Sequence, residues 1–242
     1  MNAARQPAAN VAARLPMSAW ADGRFARVLY LFDRLLEKLT WGKVRLRIYI
    51  FCAQPIGSGA YASVRDDPHT RVTQVTEESA LTADYPRRAD VVRERIRRGS
   101  TFYVATVREE FAGCIWIAKS IYSEDEVRAK YILPTDNKCV WDFDVFVAPR
   151  FRLGRTLGRL WKGVDAALEH GGVQWSFSRI SLFNASSIRT HERLGAVFQS
   201  TGVFLTLGPF QLSLCTQTPF VHLSLGPAYR PCLSLIAPSG PR

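Results

Sequence analysis

Two stretches of this chain carry residue types that can hold an anion and move a proton. The first reads Val145-Phe146-Val147-Ala148-Pro149-Arg150-Phe151-Arg152-Leu153-Gly154-Arg155-Thr156-Leu157-Gly158-Arg159: a strand, a basic loop opened by Pro149, and a helix start. Unpaired N–H groups at a helix N-terminus, with the helix dipole behind them, form an anion site. Gly154 and Gly158 allow close approach of the backbone amides from Gly154 through Thr156 to Gly158, and Arg152, Arg155 and Arg159 add charge. The second stretch runs from Asn184 to Ala196 with the spacing Asn184-x2-Ser187-x3-His191-x3-Gly195. Asn184 ends an apolar, alternating segment (175–182) and can hold its own turn through its side chain. Ser186 is placed to cap the helix that follows. Ser187 and His191 share one face, four residues apart, so His191 is carried toward whatever the turn holds. Its ordinary pKa lies near neutrality, which suits proton transfer. Ahead of the first stretch, Trp141-Asp142-Phe143-Asp144 offers two carboxylates spaced by two, hence on one strand face. Either can serve as a base, or pair with a nearby arginine.

The elements that must position these groups follow from periodicity. Phe25, Val28, Leu29, Phe32, Leu35, Leu36 and Leu39 recur at helical spacing up to Gly42, and this apolar stripe is expected to cover a sheet. Residues 45–56 alternate as a strand, and the Gly/Ser-rich 57–67 reads as a boundary. A strand at 71–76, a basic helix at 88–98 and a hairpin of strands 101–107 and 111–119 come next. Then follow strand 139–147, helix 155–170 closed by Gly171-Gly172, strand 173–182, helix 186–194, and strands near 203–207 and 210–216. This order is α/β (α+β): one mixed sheet flanked by helices. The expected organisation is a flexible tail (1–24), a helix-strand extension (25–66), a main domain (67–218) and an irregular Pro-rich tail (219–242). Trp116, Trp161 and Trp175 sit in apolar segments and read as core.

Composition bounds the rest. The 242 residues are 47% hydrophobic, enough for a sizeable core, and no apolar run is long enough to cross a bilayer. Residues 1–16 lack the apolar stretch of a secretory signal. The five cysteines are widely spaced with no Cys/His ligand pattern, which points to no metal and no disulfide framework, and to a reducing cytoplasm. A net charge of +11 calls for a negative partner: a polyphosphate, an acidic protein, nucleic acid or an anionic lipid surface.

Taken together, the two stretches resemble the GNAT acetyltransferase superfamily over roughly the last two-thirds of the chain. The family's "V-x-P" strand end and basic Gly loop look like Val147-Ala148-Pro149 and Arg152 to Gly158. Its later Asn-x2-Ala/Ser-x3-Tyr-x3-Gly-Phe motif is similar to Asn184, Ser187, His191, Gly195 and Ala196. Two positions depart: the family's loop glycines fall on Arg155 and Leu157, and His191 stands where many relatives carry tyrosine. The resemblance implies a GNAT-like fold with an N-terminal extension, and transfer of an acetyl group from acetyl-CoA to an amine. It implies the coenzyme's pyrophosphate on the amides of Gly154 to Gly158, its pantetheine along Val145 and Val147, and Asp142 or Asp144 as base with His191 as acid. An acyl-carrier protein as donor suits the basic surface. A non-catalytic module that senses coenzyme A or docks on nucleic acid or membrane is the reading from another class, supported by the helix at 25–39. The late strands offer an edge for a homodimer.

Overall fold

The computed structural model describes residues 17–76, 85, 87–136 and 138–239. In chain order the strands are β1 (Val44–Pro55), β2 (Thr70–Val75), β3 (Thr101–Val107), β4 (Glu110–Ala118), β5 (Ile121–Ser123), β6 (Lys130–Ile132), β7 (Cys139–Val147), β8 (Trp175–Ser181), β9 (Val197–Leu207), β10 (Phe210–Cys215), β11 (Val221–Ser224) and β12 (Cys232–Ser234). The helices are α1 (Met17–Ala21), α2 (Arg24–Leu39), α3 (Ala89–Arg97), α4 (Thr156–His170) and α5 (Ala185–Arg193). A mixed sheet of nine strands runs β11-β10-β9-β1-β8-β7-β4-β3-β2, and a small sheet runs β12-β6-β5.

A long apolar run in β1 explains the centre of this sheet. From Ile48 to Pro55 every residue of β1 is buried, the pattern of a strand covered on both faces. β1 pairs antiparallel with β8 from Tyr49 to Pro55 and with β9 from Val44 to Ala53. The expected 25–66 extension is therefore no appendage, because its strand lies between two strands of the main domain. The segment after β1 is no boundary either: Tyr61 stacks on Trp161 of α4, and the Gly57 amide donates to Asp165.

On one face, Leu160, Trp161 and Val164 of α4 pack on Tyr103, Ala105, Ile115 and Ile117. Ile188 of α5 and Ala21 of α1 pack on Ile50, Cys52 and Ile180. On the opposite face, Val92 of α3 and Tyr131 and Leu233 of the small sheet close over Phe51, Phe102, Trp116, Trp141 and Phe177. Each such aromatic contributes roughly 1.5–3 kcal/mol by leaving water. Trp116, Trp161 and Trp175 are buried, as their apolar segments imply. The Pro-rich tail is not irregular. It forms β11 and β12, because β12 pairs parallel with β6 and thereby sinks Leu233 and Leu235 into the core. Helix α1 lies in the stretch expected to be flexible.

Helix α2 is placed as its spacing implies but turned the other way. Its buried residues are Ala26 and Asp33. Asp33 accepts from the Leu46 amide at 2.7 Å and from Arg47 at 2.8 Å, with Glu37 beside the same arginine. The polar side is held there because β8 ends at Ser181, opposite Tyr49, so the Leu46 N–H has no strand partner on that side. The apolar stripe consequently faces away from the sheet rather than covering it. Among the described residues no helix is long and apolar enough to cross a membrane.

Glycine matters most at Gly113, which faces Val147 across the β4–β7 pair. A Cβ there would lie 2.7 Å from the Phe146 carbonyl oxygen, a backbone atom that cannot swing aside. At Gly154 the nearest atom would be 3.4 Å away. Gly113→Ala should therefore cost about 1–3 kcal/mol in urea unfolding, whereas Gly154→Ala should stay within about 0.5 kcal/mol. Equal stabilities for the two variants would contradict this packing.

Candidate active site

β7 and β8 are parallel neighbours, yet they pair only at Cys139–Trp175, Val140–Ser176 and Trp141–Phe177. Beyond Trp141 they part. β4 continues to hold β7 out to Val147, and β1 continues to hold β8 out to Ser181. From Asp142 to Val147 the edge of β7 that faces β8 therefore has no strand partner. A cavity of about 1200 Å³ opens in this fork. One end reaches Arg152, Leu157 and Gly158 at the start of α4, and another reaches Asn184, Ser187 and His191 of α5. Residues of both stretches singled out in the sequence, Val145, Val147, Arg152 and Gly158 of the first and Asn184, Ser187 and His191 of the second, thus line one cavity, while Gly154, Arg155 and Thr156 are not among its lining.

The two aspartates do not share a face. Asp144 has φ +50°, and the β4–β7 register shifts between Cys114 and Trp116, so the strand bulges there. The bulge breaks the alternation on which the same-face expectation rested. Asp142 stays buried in the fork and accepts from Ser176 Oγ at 2.7 Å. Burial disfavours its charge more than that bond favours it, and its pKa is pushed up to about 7. Asp144 turns instead to Tyr85 Oη at 2.7 Å, Arg87 Nη2 at 2.9 Å and Arg95 Nη1 at 2.5 Å. Burial alone would raise its pKa, but the bonds from Arg87, Arg95 and Tyr85 outweigh burial and hold the carboxyl down at about 2. Asp144 is thus the member of the pair engaged by arginine, and Asp142 is the one near its titration midpoint at neutral pH.

His191 is defined by its partner. Its Nδ1 lies 2.8 Å from the Ser187 carbonyl, which can only accept, so Nδ1 carries the ring proton and the neutral ring offers a lone pair at Nε2. Burial pushes its pKa below the ordinary value, only partly opposed by that bond. The helix below it is capped by Asn184, whose Oδ1 accepts from the Ser187 amide at 3.1 Å, and not by Ser186. The motif residue Asn184, at the end of the turn, reaches the third amide of the helix, the usual capping geometry, while Ser186 already lies inside it.

At the α4 end, the first helical bond runs from the Arg159 amide to the Arg155 carbonyl, so the amides of Thr156, Leu157 and Gly158 precede the helical ladder. Arg152 and Arg155 are exposed beside them. Arg152 Nε donates to the Val147 carbonyl at 3.0 Å, tying the loop to the open strand edge. Arg159 points elsewhere, to Asp67 and the Arg65 carbonyl. Gly158 serves packing as well: a Cβ there would lie 3.2 Å from Val64.

Several cavity residues escaped the sequence reading. Gln54 Oε1 and Trp141 Nε1 are buried, line the cavity and have no partner among the described residues. Gln54 is the one amide side chain in the buried part of β1, and its place among apolar residues marks it in the sequence. On the side away from α4, Glu124 accepts from Arg179 at 2.7 and 3.0 Å, Glu126 accepts from Tyr49 Oη at 2.5 Å, and Asp125 pairs with Arg95. Asp125 and Glu126 are exposed enough to meet a solute. The basic face of α3 is largely engaged: Arg88 pairs with Asp90, Arg97 and Arg98 with Glu94, and Arg95 with Asp144.

The Asp144 cluster has a signed pH consequence. Its folded-state pKa lies below the ordinary 3.8, so the carboxylate stabilises the fold above that value and the contribution is lost as pH falls toward 2. Asp144→Asn should lower unfolding free energy by about 2 kcal/mol at pH 7, with the gap narrowing below pH 4. A gap that does not change between pH 7 and pH 3 would rule out the ion-pair account.

No protein-family model matches the chain, and no curated protein matches it. Among solved structures it is similar to a tandem GNAT protein from the clavulanic acid biosynthesis pathway, at 14% identity over 66% of this chain and 53% of that one, with a TM-score of 0.47. It is also similar to a GCN5-related N-acetyltransferase from Kribbella flavida, at 14% identity over 71% and 62% of the two chains, with a TM-score of 0.42. A third is a GNAT family acetyltransferase from Elizabethkingia anophelis with acetyl-CoA bound, at 16% identity over 44% and 62%, with a TM-score of 0.31. The matches cover less than two-thirds of each of those proteins. The chemistry of the fork is accordingly derived from this chain's own residues.

Proposed function

We propose that this chain is an acyl-CoA-dependent N-acyltransferase of the GNAT kind, taking acetyl from acetyl-CoA to an amine by direct attack. The observation that carries the reading is the fork itself. It combines an unpaired strand edge, free helix-start amides at one end and a carboxyl poised near pH 7 where the strands part. The residues fit the coenzyme. The amides of Thr156 to Gly158, with Arg152 and Arg155, suit a pyrophosphate. The open edge at Val145 and Val147 suits the amides of a pantetheine arm. Acetyl-CoA, when bound, supplies a thioester and a thiolate able to leave.

In this reading Asp142 is the base. Its pKa of about 7 leaves it partly ionised at neutral pH and makes it a stronger base than an ordinary carboxylate toward the proton the amine sheds as it attacks. Asp144 anchors the bulge and takes no proton, since its carboxylate is held by two arginines. His191 accepts a hydrogen bond at Nε2 and steadies the α5 end of the cavity. The acid role implied by its place in the motif requires an imidazolium, which burial disfavours. Asp125 and Glu126, at the rim away from α4, favour an acceptor that arrives as a cation.

The first test is thermal unfolding with ligands. Acetyl-CoA at a hundredfold its Kd should stabilise the fold by about 2.7 kcal/mol, with no comparable effect from acetate or adenosine. No shift at millimolar acetyl-CoA ends the proposal. Stabilisation without coenzyme A release across a panel of primary amines favours a sensing module, and turnover with an acyl-carrier protein alone favours that donor.

The second test isolates Asp142. With amine turnover in hand, kcat/KM should rise through an apparent pKa near 7, and Asp142→Asn should abolish that limb with a loss of about 10²–10⁴-fold. The sign of the stability change is opposite to that of Asp144. The folded-state pKa is raised, so burying the charge costs stability as pH climbs from about 4 to about 7. Asp142→Asn should unfold at higher temperature than the parent at pH 8 and at an equal one below pH 4. A parent and variant with the same pH–rate limb would exclude Asp142 as the base.

A further inference from the structure

Helix α2 presents an apolar stripe that the fold leaves uncovered. Phe25, Val28, Leu31, Phe32, Leu35 and Leu39 recur every three or four residues along one side, and all are exposed, Phe25 by 68% and Leu39 by 67%. Trp41, just past the helix end with φ +54°, is 92% exposed. The β9–β10 turn adds Leu207 and Phe210 at this end, where the Gly208 amide donates to the Lys43 carbonyl. The helix is not waiting to roll over onto the sheet. Asp33 fixes its opposite side to Leu46 and Arg47, so the outward direction of the stripe is built in.

The charge around the stripe selects what can cover it. Between positions 24 and 47 the chain has seven Arg and Lys residues against two acids, Asp33 and Glu37. Both acids are engaged by arginine, Glu37 by Arg34 and Arg47 and Asp33 by Arg47. Arg24, Arg27 and Lys38 are exposed on α2, and Lys43 is exposed just beyond it. A second copy docking by this stripe about a two-fold axis would bring like-charged flanks together. An anionic lipid surface meets both demands at once: the stripe sinks to the acyl boundary while the basic flank meets headgroups. We infer that α2 is an interfacial anchor that docks the protein on an anionic membrane, with Phe32 and Leu35 entering the lipid and Trp41 marking the interface. Tyr30 of the same helix packs on Phe183, at 5.5 Å between ring centres, one residue before the cavity residue Asn184. Tyr30 lies on the side of α2 opposite the stripe, so the helix that carries the stripe is seated by its inner side against the turn leading to the cavity.

The test is co-sedimentation of the full chain with extruded vesicles, run without acetyl-CoA so that it is independent of the proposed activity. Binding should be strong on phosphatidylcholine mixed with phosphatidylglycerol, weak on phosphatidylcholine alone, and weakened by salt. A basic protein adheres to anionic vesicles through charge alone, so the decisive variant keeps the charge. Phe32→Ser with Leu35→Ser, at two exposed positions, should lower partitioning about tenfold or more while leaving the thermal transition in place. Arg27→Glu with Lys38→Glu should lower it further at low salt. Partitioning unchanged by the serine variant assigns the adhesion to net charge and overturns the proposal. So does a wild-type protein that stays in the supernatant. A concentration-dependent dimer that the serine variant dissolves assigns the stripe to a second copy and overturns it equally.

Discussion

β7 and β8 separate because each is held more firmly by its other neighbour. β8 makes seven register pairs with β1 and only three with β7, and β7 is kept against β4 past a bulge that Gly113 makes room for. Unpaired backbone inside a protein is costly unless something satisfies it. A fork with an open strand edge is therefore a place where a ligand's amides, or water, complete the hydrogen bonding. Asp144 locks the bulge, its carboxylate gripped by Arg87, Arg95 and Tyr85, and Asp142 is left with Ser176 where the strands part, both aspartates lining the cavity. Two carboxylates two residues apart in sequence end with pKa values of about 2 and about 7, and the difference is made by the turn of backbone between them.

Much of this was legible in the sequence, and the misses have definite causes. Strand 139–147, helix 155–170 and the turn at Asn184 could be read because apolar spacing, the Gly171-Gly172 stop and a turn-forming Asn are local signals, although the cap itself falls on Asn184 and not on Ser186. The bulge could not, since nothing in Trp141-Asp142-Phe143-Asp144 signals a positive φ at an aspartate; that conformation is imposed by arginines some fifty residues away. The central place of β1 also lies beyond local reading, because its partners are the late strands. The short strands β5, β6, β11 and β12 are three or four residues long, too brief for alternation to register, and exist by pairing alone. For α2 the amphipathic spacing was right and the inferred burial wrong. Asp33, a single acid on the polar side, outweighed a whole apolar stripe in deciding which way the helix faces.

The position of β1 has a bearing on how the molecule assembles. The contact between Cys52 and Ser178 spans 126 residues, and every rung of the β1–β8 and β1–β9 ladders closes a loop of that order. Contacts so distant along the chain slow folding, because loop-closure entropy is lost before the pairing repays it. During synthesis β1 emerges with its apolar run exposed and has no partner until β8 and β9 follow. Its unpaired edge is a hazard for aggregation over that interval.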